Sequence, residues 1–263
     1  MSYIKKIFTC ISLVCLIIFD FSNITAKEIR EISSFLNLKN LYLNHYSYIH
    51  NNYIKLISLN IVEEAHEVPL VIKLPAELEN AKQVAILIDN NPIQLAAKIF
   101  PHRNIKSLGL NIRLEQNSLV RAAVLDENNI WHINSKKIIV NSPGGCSLPS
   151  CNPEKEICEI KETGIIKFNK YQRSSGNWRY KISINHPMDT GLVTDSKTGR
   201  IIPEYFINQV TFQNAEGVSL AKAETYGALS ANPVIIIDFF EDFDISTVTA
   251  NDTKGKVFQL NKQ

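Results

Sequence analysis

The chain has 263 residues, 45% of them hydrophobic and 21% charged, enough apolar material for one or two ordinary cores and too much for a disordered chain. A formal net charge of +2, with no long Lys/Arg run, lacks the electrostatic footprint of a nucleic-acid binder.

The N-terminus sets the expected compartment. Lys5 and Lys6 precede an apolar run from Ile7 to Phe19 and a polar stretch ending Ile24-Thr25-Ala26, the pattern of a cleaved signal peptide over residues 1–26. The run is short for a bilayer span, so no membrane insertion of the mature chain is expected. Val14 stands before Cys15 where lipidation needs a small residue. Removing the signal peptide takes Cys10 and Cys15 with it and leaves Cys146, Cys151 and Cys158. Three is an odd number, so in an oxidising compartment two can pair and one stays free.

Ile29, Ile32, Phe35, Leu36, Leu38 and Leu41 recur at roughly helical spacing and predict a helical lead-in within residues 27–66. From Val68 the texture changes to short β-branched and apolar runs broken by turn residues, the all-β signature. The predicted strands are Val68–Leu74, Gln83–Ile88, Ile93–Phe100, Leu108–Glu115, Leu119–Leu125 and Ile130–Val140, with turns such as Asp89-Asn90-Asn91-Pro92 and Asp126-Glu127-Asn128-Asn129 between them. No long amphipathic helix separates them, so a β-sandwich over 67–140 fits better than a parallel α/β sheet. Residues 141–177 open with Asn-Ser-Pro-Gly-Gly-Cys-Ser-Leu-Pro-Ser-Cys-Asn-Pro, which stops regular structure and predicts a cysteine-bearing linker. A second sandwich is expected over 178–263, with strands at Trp178–Ile184, Phe206–Phe212, Val218–Glu224, Val234–Phe240 and Lys256–Leu260. Hairpin turns are expected at Asn214-Ala215-Glu216-Gly217 and Asp252-Thr253-Lys254-Gly255.

The strongest chemical feature is Pro143-Gly144-Gly145-Cys146-Ser147. A thiol that enters another protein's active site needs a narrow, flexible stem, which Gly144 and Gly145 would supply. The bland alternative is a stapled linker in which Cys146 pairs with Cys151 or Cys158. The nearest basic residues in sequence are Lys137 and Lys155, so little local charge would lower the thiol pKa, which suits a cargo arm better than an enzyme nucleophile. C-x4-C-x6-C matches no common zinc pattern, so no metal is expected. His186 and Asp189 suggest acid–base work, but no nucleophile motif accompanies them, and Gly-rich phosphate loops are absent. His132, Trp131 and Trp178 read as packing or surface residues.

Beyond these local features, the sequence resembles the SoxYZ sulfur carriers of bacterial thiosulfate oxidation, in the fused single-chain form associated with quinoprotein dehydrogenases. Val68-Pro69-Leu70, Ile88-Asp89-Asn90-Asn91-Pro92, Asn111-Ile112-Arg113-Leu114, Val120-Arg121-Ala122 and Gly144-Gly145-Cys146 are similar to SoxY. His186-Pro187-Met188-Asp189-Thr190-Gly191-Leu192, Ile202-Pro203-Glu204-Tyr205-Phe206-Ile207 and Ser230-Ala231-Asn232-Pro233 are similar to SoxZ. The resemblance implies two immunoglobulin-like sandwiches and a carrier cysteine, which maps onto Cys146. It also implies a periplasmic location and no catalytic activity or cofactor. The implied partners are periplasmic redox enzymes: a c-type cytochrome and other Sox-type or quinoprotein dehydrogenase components. Three departures stand out. Ser147-Leu148-Pro149 follows where the separate SoxY ends in two further glycines, Cys151 and Cys158 add neighbouring thiols that could gate Cys146, and the fused type does not assure a sulfur cargo. The alternative function is an accessory docking module for a quinoprotein dehydrogenase system, with structural cysteines.

Overall fold

A computed structural model describes residues 26–149 and 162–261. The expected signal peptide, Cys151 and Cys158 lie outside the described residues, apart from Ala26. The described residues up to His45 form a unit of their own, containing helix α1 (Ala26–Tyr42), with Lys39 in its last turn and the Leu43 amide bonded to the Lys39 carbonyl at 2.9 Å. The helix coincides with the apolar repeat that ends at Leu41. The rest of the expected lead-in is not helical: the period-3.6 pattern stops there, and the chain runs on through turns and three short strands.

The described residues from Tyr46 onward form the second unit. Its first half carries β1 (Tyr48–His50), β2 (Lys55–Ile57), β3 (Ile61–Val62), β4 (Val68–Lys73) and β5 (Gln83–Ile88). It continues with β6 (Leu95–Pro101), β7 (Ile105–Ile112), β8 (Ser118–Leu125) and β9 (Trp131–Val140). The second half carries β10 (Ile166–Gln172), β11 (Trp178–Ile184), β12 (Ile207–Gln213) and β13 (Ser219–Thr225), then β14 (Val234–Phe239), β15 (Thr247–Asp252) and β16 (Val257–Asn261). β10, inside the expected linker, and β15 are strands that the sequence reading did not mark.

The unit is all-β, built as immunoglobulin-like sandwich halves whose strands join into two sheets. One sheet runs β1-β9-β8-β5-β6-β13-β12-β15-β16, with β3 also on β9; the other runs β10-β11-β14-β7-β4-β2. The halves therefore meet inside both sheets: β6 pairs with β13, placing Lys98 opposite Glu224, and β7 pairs with β14, placing Leu110 opposite Ile235. These pairings cover the strand edges that two separate sandwiches would leave exposed at the junction.

Alternation aims one face of each strand inward. Val68, Leu70 and Ile72 of β4, Tyr180, Ile182 and Ile184 of β11, and Ile235, Ile237 and Phe239 of β14 are buried, and they join residues of both halves in one hydrophobic core. Burying each large side chain contributes roughly 1.5–3 kcal/mol relative to exposure. A polar stitch reinforces the junction: the Arg179 guanidinium donates to both carboxylate oxygens of Asp238 at 2.6 and 2.7 Å, and the Ser107 hydroxyl donates to Asp238 Oδ2 at 2.7 Å. β7, β14 and β11 are thereby tied through one buried carboxylate.

Candidate functional site

Beyond β7 the chain continues through Arg113, Leu114 and Glu115, and the segment carrying Gly144, Gly145 and Cys146 lies against it. The Gly144 amide donates to the Glu115 carbonyl at 2.8 Å and the Gly145 amide to the Leu114 carbonyl at 3.1 Å, while the Leu114 amide donates to the Ala65 carbonyl at 2.9 Å. The two glycines are demanded by this approach. A Cβ on Gly145 would stand 2.3 Å from the Ala65 oxygen and 2.6 Å from the Leu114 oxygen, and Gly144 has a φ of +105°. The stem predicted to be a free arm is, in this conformation, docked.

The Glu115 carboxylate clamps the next two residues. Its Oε2 accepts the Cys146 and Ser147 amides, each at 3.1 Å, and its Oε1 accepts the Ser147 hydroxyl at 2.5 Å. From the second half, the Thr190 hydroxyl donates to the Cys146 carbonyl at 2.7 Å. Asn91 holds the centre: its Oδ1 accepts the Glu115 amide at 2.8 Å, and its Nδ2 donates to the Arg113 carbonyl at 2.8 Å and to Cys146 Sγ at 3.5 Å. The bidentate pair between Arg121 and Asp89, both largely buried, steadies the turn that bears Asn91.

Cys146 is fully buried. Its thiol is pushed up to about 12, first by burial and then by the Glu115 charge, against which the Arg113 charge works. At pH 7 the docked thiol is protonated. Arg113, 3% exposed, donates from Nη2 to the Pro187 carbonyl at 3.1 Å, and its Nε has no partner among the described residues. Burial lowers its pKa, opposed by Cys146 and Asp189; Asp189 in turn is raised by burial, opposed by Arg113 and Lys254.

Folding thus supplies what local sequence lacked. Lys137 and Lys155 are the nearest basic residues along the chain, yet Arg113 is the cation coupled to the thiol, and Glu115, which no sequence motif singled out, is the residue that pins it. Asn91, Arg113 and Thr190 each sat in a quoted motif without an assigned role; here the three converge on Cys146. His186 is fully buried elsewhere, against the Tyr205 ring at 4.3 Å, with Nε2 4.0 Å from Asp252 Oδ2. Its Nδ1 accepts the Met188 amide at 3.2 Å. No nucleophile faces it among the described residues. His132 lies between Asp126 and Asn51, Trp131 is in the interior, and Lys170 covers the Trp178 ring at 5.1 Å, all packing roles.

Comparison with known families divides the chain at this site. Residues 39–146 match the family described as Sulfur oxidation protein SoxY, and residues 166–263 match Sulphur oxidation protein SoxZ. The chain belongs to the SoxYZ sulfur-carrier family, with both domains fused in one polypeptide. The SoxY match ends on Cys146, and the SoxZ half supplies Thr190 and Pro187 to its surroundings. Among solved structures, the sulfur carrier protein SoxY from Chlorobium limicola f thiosulfatophilum is similar at 13% identity, covering 42% of this chain and 99% of that one, with a TM-score of 0.37. A superoxide reductase (Neelaredoxin) from Ignicoccus hospitalis matches at 8% identity over 36% of this chain and 94% of that one, with a TM-score of 0.32. No curated protein matches the sequence.

Proposed function

We propose that this SoxYZ protein is a periplasmic carrier that holds a sulfur-containing intermediate covalently on Cys146 and presents it to partner redox enzymes, catalysing nothing itself. The observation that carries the reading is the coincidence of the end of the SoxY match with Cys146, in a Gly-Gly-Cys segment that both halves hold. The docked thiol is protonated and enclosed, so loading requires residues 144–147 to leave their seat, expose Sγ and bring the pKa back toward the ordinary thiol range. Docking then acts as the resting position of the arm. Partners of the class implied by the family, a c-type cytochrome and Sox-type or quinoprotein dehydrogenase components, would meet the undocked segment.

Burial of Cys146 favours one other reading, an accessory module that docks on a redox enzyme and carries nothing. The Cys146→Ser variant separates them. Protein isolated without reductant from a cell that exports it is expected to carry a reductant-labile mass increment that the variant lacks; an increment kept by the variant overturns the carrier reading.

A further inference from the structure

A buried guanidinium without a carboxylate partner is costly, and such groups persist where an anion completes them. Arg113 comes close to this character: 3% exposed, bonded from Nη2 to one carbonyl, its Nε unpartnered and no carboxylate bonded to it among the described residues, although Asp189 lies near enough to act on it through space. The surroundings face Cys146. Asn91 Nδ2, which donates to the Arg113 carbonyl, also donates to Sγ, and the stretch from Pro187, which receives Arg113, to Thr190 also fixes the Cys146 carbonyl. The neighbourhood of the sulfur thus holds two donor groups, one of them the charged Arg113, while the Glu115 carboxylate is occupied by amides and a hydroxyl and burial pushes the Asp189 carboxyl towards its neutral form.

We propose that Arg113, aided by the Asn91 amide, is an anion-binding residue that receives the terminal oxyanion of a sulfo-bearing group carried on Cys146, so that the loaded arm is held at its seat. This rests on the carrier reading above. A planar, permanently charged fork suits a sulfonate, whose oxygens accept two N–H bonds at once, and a neutral cargo of equal size gains nothing from it.

The test uses the full chain with Cys10, Cys15, Cys151 and Cys158 replaced by serine. Tetrathionate loads an anionic group: the Cys146 thiolate attacks a central sulfur, an S–S bond forms as the central S–S bond breaks, thiosulfate leaves with the electron pair, and the thiol proton goes to solvent. Cys146 then bears –S–SO3⁻. Methyl methanethiosulfonate loads a neutral –SCH3 in the same way, releasing methanesulfinate. The sulfo adduct is expected to melt at least about 3 °C above the methylthio adduct, the scale of one charge-assisted contact in a domain of this size. Arg113→Gln should abolish that difference and Arg113→Lys should keep part of it. A parent protein whose methylthio adduct is as stable as its sulfo adduct overturns the proposal, and this comparison needs no Arg113 variant to fold. Adducts that form without any such difference refute the role of Arg113 and leave the carrier reading standing; a Cys146 that takes neither reagent under native conditions refutes both.

Discussion

Replacing Glu115 by alanine should release the Cys146 segment. The carboxylate accepts three hydrogen bonds, from the amides of Cys146 and Ser147 and from the Ser147 hydroxyl, and each bond to a charged group contributes roughly 1.5–3 kcal/mol. Because the donors find water once the segment leaves, the three do not sum, and a loss of docking free energy of about 3 kcal/mol is expected, a factor of roughly 100 in the undocked population. Alkylation of Cys146 by iodoacetamide, in the chain whose other cysteines are serine, should accelerate by about that factor, with Glu115→Gln in between because one acceptor remains. Removing the charge also lowers the thiol pKa, since Glu115 is the second cause of its elevation. The two effects separate with pH. Release multiplies the rate at every pH, whereas the electrostatic effect moves the inflection. The thiol pKa is raised on docking, so docking is fully stable below the ordinary thiol value near 9 and weakens by about 1.4 kcal/mol per unit as pH climbs from there towards about 12. An alanine variant alkylated within twofold of the parent rate at pH 8 would refute the clamp.

Gly145→Ala places a Cβ 2.3 Å and 2.6 Å from two backbone oxygens that have no side-chain freedom to yield, so the segment must lift. Alkylation should rise by a factor of about 10–100, from an overpacking cost of roughly 1–3 kcal/mol, while a melting point unchanged within a few degrees would locate the loss in the segment; an unchanged alkylation rate would contradict the docked geometry. His186 is pushed down to about 4, chiefly by burial, with Asp252 opposing. A depressed histidine contributes stability that is complete above the ordinary value of 6.5 and lost as pH falls through 4, so denaturant unfolding should give about 3 kcal/mol less at pH 4 than at pH 7 from this group. His186→Asn should flatten that dependence, and an identical slope in the variant would show that other groups carry it.

Much of the fold was legible because core strands alternate. Val68, Leu70 and Ile72, or Tyr180, Ile182 and Ile184, announce their inward face with period 2, and the turn after β8 is announced by Asp126 and Asn129, whose carboxylate and positive φ it uses. β10 was missed although Ile166, Phe168 and Tyr171 mark it, because its exposed Lys and Asn side chains follow a Gly/Pro/Cys segment and extend the look of a linker. β15 was missed because Thr247, Thr249, Ala250 and Asn251 carry little apolar signal; its pairing with β12 and β16 makes it a strand. The joining of the halves was out of reach, since the register of Leu110 on Ile235 is a tertiary property of strands more than a hundred residues apart. At the site, Gly144-Gly145-Cys146 stood out for its composition, but the same glycines serve close packing as readily as flexibility. The charge around Cys146 comes from Arg113 and Glu115, some thirty residues away, and no short sequence window brings them to the thiol.

The central claim is that Cys146 bears the cargo, and fragmentation of the tryptic peptide spanning residues 138–155, prepared without reductant from protein isolated from a cell that exports it, addresses it most directly. That peptide holds both Cys146 and Cys151. The account predicts a reductant-labile mass increment assigned to Cys146. A Cys146 found instead in a disulfide with Cys151 or Cys158, with no adduct on any molecule, would contradict it.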